Sequence, residues 1–226
     1  MAWKTWTLSR GQLFRALPKH LLLALLCGAV FGPLFYCFKD IQALPPLVLF
    51  IIIGTLWANA AVLPVALPGR YWSFAFIGAL MLFLLLVPGM FLAAKFPFPH
   101  SSVLFSPGAF AYSPEVNVIT HGAILTGACL GLIYGLLAGR RPAMAVGLAL
   151  GGASGYVLGL ASMYAFKWLA DPHLVSRLPP LCWRFDGALH FAWQGALAMV
   201  VLHLGACLGA VLGAAPSASG MDRSAQ

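Results

Sequence analysis

The sequence predicts an all-α, polytopic integral membrane protein with six transmembrane helices and glycine-zipper packing in its C-terminal half. Three observations predict it. First, 62% of the 226 residues are hydrophobic and 8% charged, with a mean hydropathy of +0.92, against roughly 25% charged residues in a soluble domain. Second, the polar residues are confined to short gaps between long apolar runs, the pattern of repeated membrane crossing. Third, glycines recur at four-residue steps: Gly127, Gly131, Gly135 and Gly139, then Gly147, Gly151, Gly155 and Gly159, then Gly205, Gly209 and Gly213. On an apolar helix such a ladder is a bare strip that a second backbone can approach closely. Four residues turn a helix about 400°, so the strip follows the i±4 ridge and favours a right-handed crossing.

Residues 1–19 read as an amphipathic cytoplasmic entry segment. Ser9 and Gln12 have capping-box spacing, Leu13, Phe14 and Leu17 share a face, and Pro18 interrupts the pattern. Trp3 and Trp6 suit the headgroup region, and Lys4, Arg10, Arg15 and Lys19 suit an anionic leaflet. The six spans of a single membrane domain (20–214) are then placed at about 20–38, 43–67, 71–94, 120–139, 142–170 and 187–214. The first carries Pro33, which should kink it. The second is bracketed by Pro45-Pro46 and Pro64, with Trp57 and Asn59 near its middle. The third starts with aromatics and has Pro88-Gly89 near its far end. Residues 95–119 form a proline- and aromatic-rich connection suited to the membrane surface. The fourth and fifth spans form a glycine hairpin around Arg140-Arg141-Pro142, and 215–226 is a cytoplasmic tail.

Charge sets the expected orientation. With the N-terminus inside, Lys4, Arg10, Arg15, Lys19, Arg70, Arg140, Arg141 and Arg223 are cytoplasmic, and Lys39, Lys95, Lys167, Arg177 and Arg184 lie outside. That is eight of the 13 basic residues against five, so both termini are expected in the cytoplasm of a multi-pass, inner-membrane protein of bacterial type. The basic residues are scattered and form no groove-binding module, so the net charge of +8 does not point to nucleic acid. The five cysteines (27, 37, 129, 182 and 207) contain no Cys-x-x-Cys pair, and Cys37 and Cys182 alone stand where they could meet on the outer side. The string Gly-Ala-Cys-Leu-Gly occurs at 127–131 and 205–209, on two helices expected to run the same way, unlike the inverted repeats of many transporters.

No Asp, Glu, Lys or Arg falls near the middle of any expected span, which argues against an ion-coupled pump. The polar residues at depth are Asn59, Thr126, Ser154, Ser162, Gln194 and His203. Each suits an interhelical hydrogen bond worth about 0.6 kcal/mol on average. His100, His121, His173 and His190 fall at the outer boundary near Glu115, Asp171 and Asp186, without the i, i+4 spacing of a metal motif, so no metal is expected.

Three resemblances frame the alternatives. His190 and His203 lie on one helix at a spacing that resembles the haem-ligand pairs of cytochrome b proteins, with His121 placed to partner His190. Gly152-Ala153-Ser154-Gly155, followed later by His203-Leu204-Gly205, resembles the serine and histidine helices of rhomboid intramembrane proteases. That resemblance implies Ser154 as nucleophile and His203 as base, although the two helices here are consecutive and antiparallel. The size and span number are similar to the substrate-binding membrane subunits of vitamin importers, for which Asn59, Gln194 and Ser154 would line an uncharged site. The residues themselves favour a non-catalytic helix-packing subunit or scaffold of a membrane complex. No cofactor is expected, and the partners are the bilayer and other membrane subunits or a second copy. A small-solute transporter or channel is the alternative, followed by a haem or quinone protein and an intramembrane protease.

Overall fold

A computed structural model describes residues 7–39, 46–66, 80, 114–169 and 188–214. Among them are helices and short connections, with no strand. The third expected span apart from helical Leu80, the connection 95–113, the polar segment 170–187 and the tail from 215 lie outside the described residues, as do the Cys37 side chain and Cys182.

Helix α1 spans Arg10–Lys39. Its start is the capping box anticipated from spacing. The Ser9 amide donates to Gln12 Oε1 at 2.7 Å, and the Gln12 amide donates to Ser9 Oγ at 3.3 Å, which satisfies amides that a helix leaves open at its first turn. The helix does not wait for His20. It runs through Pro18 and Pro33 without ending, because Leu13 and Leu17 are buried against the other helices. Their packing outweighs the hydrogen bond that a proline removes.

Helix α2 spans Pro46–Val62 and tightens into a 3-10 turn at Leu63–Val65. Proline suits the first helical position, where its missing amide is no loss. Helix α3, Pro114–Ala138, also starts on a proline. It ends at Gly139, whose φ of 67° is the left-handed conformation that closes a helix at little cost only for glycine. The Gly139 amide donates to the carbonyls of Gly135 and Leu136 at 3.1 and 3.0 Å. Helix α4 spans Arg141–Leu169 and α5 spans Ala188–Gly213. Helices α1, α3, α4 and α5 are long and apolar enough to cross a membrane. The described part of α2, 17 residues, is about 25 Å long, at the lower end of what a membrane-spanning helix needs.

Helix α5 is the hub, packing against α1, α4 and α3, while α2 packs on α1 and touches α3. The helices meet backbone to backbone. A methyl group added at Gly131 would strike the carbonyl of Gly147, and one at Gly147 would strike Gly131. The same reciprocal exclusion holds for Gly127 and Gly151. Gly135 lies on the backbone of Met144, and Gly155 on that of Ala123, so α3 and α4 are antiparallel along one seam. Gly205 abuts Ser154, Gly209 lies on Val146 and Gly147, and Gly213 lies on Pro142 and Ala143, which makes a second seam between α5 and α4. Gly28 and Gly195 exclude each other's methyl across α1 and α5. At one end of the bundle the Leu8 amide donates to the Leu137 carbonyl at 2.6 Å, and Arg140 Nη1 donates to the Ala214 carbonyl at 3.0 Å.

These seams separate the glycines into two classes. Gly131→Val and Gly151→Val are expected to lower stability by about 1–3 kcal/mol or more through overpacking. Gly54 and Gly122, with open space where a Cβ would stand, are expected to accept alanine with no loss, since alanine is the better helix former. Thermal unfolding of the detergent-purified variants measures both.

Candidate functional site

Three polar side chains meet inside this apolar bundle. His20 on α1 is nearly buried, and Tyr134 on α3 and His203 on α5 have no exposed surface. The Tyr134 hydroxyl is 3.2 Å from Nδ1 of His20 and 3.1 Å from Nδ1 of His203. The Tyr134 ring meets His203 edge-on at 85° and His20 at a 47° tilt. One hydroxyl donates a single hydrogen and accepts another, so Tyr134 gives its proton to one imidazole and takes a hydrogen bond from the other. Nε2 of His203 has no hydrogen-bond partner and is the buried side-chain polar atom left so among the described residues. The Ala61 backbone, in the last turn of α2, lies beside that ring.

The helix seams position the string. Gly28 against Gly195 draws α1 onto α5 and sets His20 level with His203, two turns nearer the end that carries Leu8 and Ala214. Leu130, Ile133, Leu137, Met199 and Leu202 pack around it as one core cluster with Val62 and Val65. In such surroundings water does not compete, and a broken hydrogen bond is not readily replaced.

A second polar tie joins α2 to α3. Trp57 Nε1 donates to Thr126 Oγ1 at 2.9 Å, and Thr126 Oγ1 in turn donates to the Gly122 carbonyl at 2.7 Å. The Phe31 ring of α1 meets the Trp57 ring at a 60° tilt, 4.8 Å between centroids.

Comparisons with family models, curated proteins and solved structures return no match. The residues therefore carry the reading by themselves.

The structure distributes the residues singled out in the sequence as follows. Ser154 Oγ donates to the Gly151 carbonyl at 2.7 Å within its own helix and lies against Gly205, while His203 bonds to Tyr134; Ser154 and His203 share no hydrogen bond. Asn59 Nδ2 donates to the Thr55 carbonyl one turn back, at 2.8 Å. Gln194 and His121 are half-buried, and the His190 side chain lies outside the described residues. Gly159 is buried, and Gly139 is the α3–α4 turn, packed on Thr7. Among the described residues no three histidine, cysteine or acidic side chains gather as a metal site, and Cys27, Cys129 and Cys207 are free thiols.

Sequence reasoning passed over His20, Tyr134, Gly28 and Gly195. A signal existed for Gly28, which stands four residues before Gly32, the same small-residue spacing as the longer ladders. None existed for Tyr134, a lone aromatic in an apolar run. Tyr134→Phe would leave both Nδ1 atoms without their shared partner and is expected to lower stability by about 1–3 kcal/mol. Ser154→Ala, which loses a bond confined to its own helix, is expected to change it by less than about 0.5 kcal/mol. Unfolding of both variants in detergent, followed by circular dichroism, checks the contrast.

Proposed function

We propose that this chain is a non-catalytic, helix-packing component of a membrane complex, with six spans and glycine-zipper seams that hold its own helices together. The observation that carries the reading is the two-sided character of α4. Gly147, Gly151 and Gly155 face α3 and leave no room for a side chain. On the opposite side Ala145, Ala149, Ala153 and Ala161 are exposed, with the larger Val157 standing at the one remaining four-residue step. Lipid-facing helix surfaces have no need of small residues, whereas a close helix–helix contact requires them. Elsewhere the outward side chains are large, as with Phe14, Leu22, Leu26 and Val30 on α1. The outer strip of α4 thus suits a transmembrane helix of another chain.

The end that gathers Thr7, Gly139, Arg140 and Ala214 is the proposed cytoplasmic side, because Arg10, Arg15, Lys19, Arg140 and Arg141 crowd around it. A role in moving a small solute is the second reading. It is favoured by the buried histidine–tyrosine–histidine string, since ionisable side chains within a membrane domain mark functional pathways more often than packing.

Bulk on the outer strip tests the first reading. Ala149→Trp and Ala153→Trp are expected to remove the partner chain in native mass spectrometry of protein taken gently from its own membrane. Val30→Trp on the lipid-facing side of α1 is expected to leave the complex intact. Wild-type protein that emerges as a bare monomer, or tryptophan variants that keep their partner, would sink the proposal.

A further inference from the structure

A packing role calls for interhelical hydrogen bonds, but not for three ionisable rings in series to make them. The string has two features that packing alone does not need. It is continuous, with Nδ1, Oη and Nδ1 at 3.2 and 3.1 Å, and it is asymmetric. One terminal imidazole, His20, retains some exposure at 9% and stands next to Lys19 near the basic end of the bundle. The other, His203, is fully enclosed and has an Nε2 with no hydrogen-bond partner.

We propose that His20, Tyr134 and His203 relay a proton from the edge of the bundle to its interior. In the starting arrangement His20 donates its Nδ1 hydrogen to the Tyr134 oxygen, and Tyr134 donates its hydroxyl hydrogen to Nδ1 of His203. His20 then presents a bare Nε2 toward the edge, and His203 carries hydrogen on Nε2 in the core. A proton binds Nε2 of His20. The Nδ1 hydrogen of His20 passes to the Tyr134 oxygen, and the former Tyr134 hydrogen passes to Nδ1 of His203. One proton has entered, one positive charge now resides on His203, and no electron has moved. Tyr134 ends by donating to His20 and accepting from His203, so both short contacts survive the transfer.

The unpartnered Nε2 gains a role in this scheme. Once His203 is charged, its Nε2 hydrogen becomes a charge-assisted donor, and the Ala61 backbone at the end of α2 lies beside the ring. The last carbonyls of a helix have no partner within it and attract cations. The other titratable groups that bear on the string are Lys19 on α1, which acts on His20, and Cys207 on α5, which acts on Tyr134. Helix α2 contains no titratable side chain.

The test is nitrogen NMR of 15N-histidine-labelled full-length protein in lipid bilayers. It follows the ring nitrogens of His20 and His203 as pH falls from about 8 to 3, which covers the interval in which imidazole titrates and extends below it. In wild type both nitrogens of His203 are expected to shift together with those of His20. In Tyr134→Phe the wire is cut, so His20 should shift and His203 should stay fixed. His20→Gln, which keeps Tyr134 and removes the entry ring, should also leave His203 fixed and serves if the phenylalanine variant does not fold. Wild-type His203 nitrogens that stay constant while His20 titrates would overturn the relay. So would a His203 response that persists in either variant.

Discussion

Contact between bare helix backbones is the constraint on which this structure depends. Gly131 with Gly147, Gly127 with Gly151, and Gly28 with Gly195 leave no space for a methyl group on either side. In lipid no hydrophobic gain draws two apolar helices together, so association rests on close packing and on interhelical hydrogen bonds. Two seams converge on α5, and that convergence brings residues from α1, α3 and α5 close enough to form a buried polar string. Interhelical distance sets the polar chemistry here.

The described helices use their ladders inside the chain. Gly127, Gly131, Gly135, Gly147, Gly151, Gly155, Gly205, Gly209 and Gly213 all meet partners in α3, α4 or α5. A glycine ladder alone is therefore no sign of an external partner; the alanine-rich outer side of α4 is the surface suited to one. The two faces of α4 follow the same four-residue step, but glycine lines the face already occupied and alanine the face left open.

Much of this architecture was legible in the residues. The apolar runs located α3, α4 and α5 to within a few residues, except that α3 starts at Pro114, well before the apolar run begins. Ser9 and Gln12 marked the start of the entry helix, which continues through Pro18 into the first span as one helix. Pro18 looked like a boundary because local propensity was weighed without the burial of Leu13 and Leu17, which is a tertiary matter. The string was harder to see. His20 follows Lys19 and reads as part of a basic flank, and Tyr134 reads as an apolar-run aromatic. His203 was noticed, but with Ser154 or His190 as its partner. Sequence spacing compares residues along one helix or between neighbouring ones, whereas His20, Tyr134 and His203 come from three helices far apart in the chain.

The Gly28–Gly195 contact also closes the longest loop among the described glycine contacts. The α3–α4 hairpin closes over a tight turn at Gly139, so its seam joins residues that emerge close together. Helix α1 is made before α5, yet its glycine partner lies on α5, most of the chain later. Closing so long a loop carries more entropy loss than closing the hairpin. During that interval His20 has neither Tyr134 nor His203 beside it, and its place near the basic end of α1 lets water hold the ring. The end of the string nearest the basic flank is thus also the polar group best able to wait.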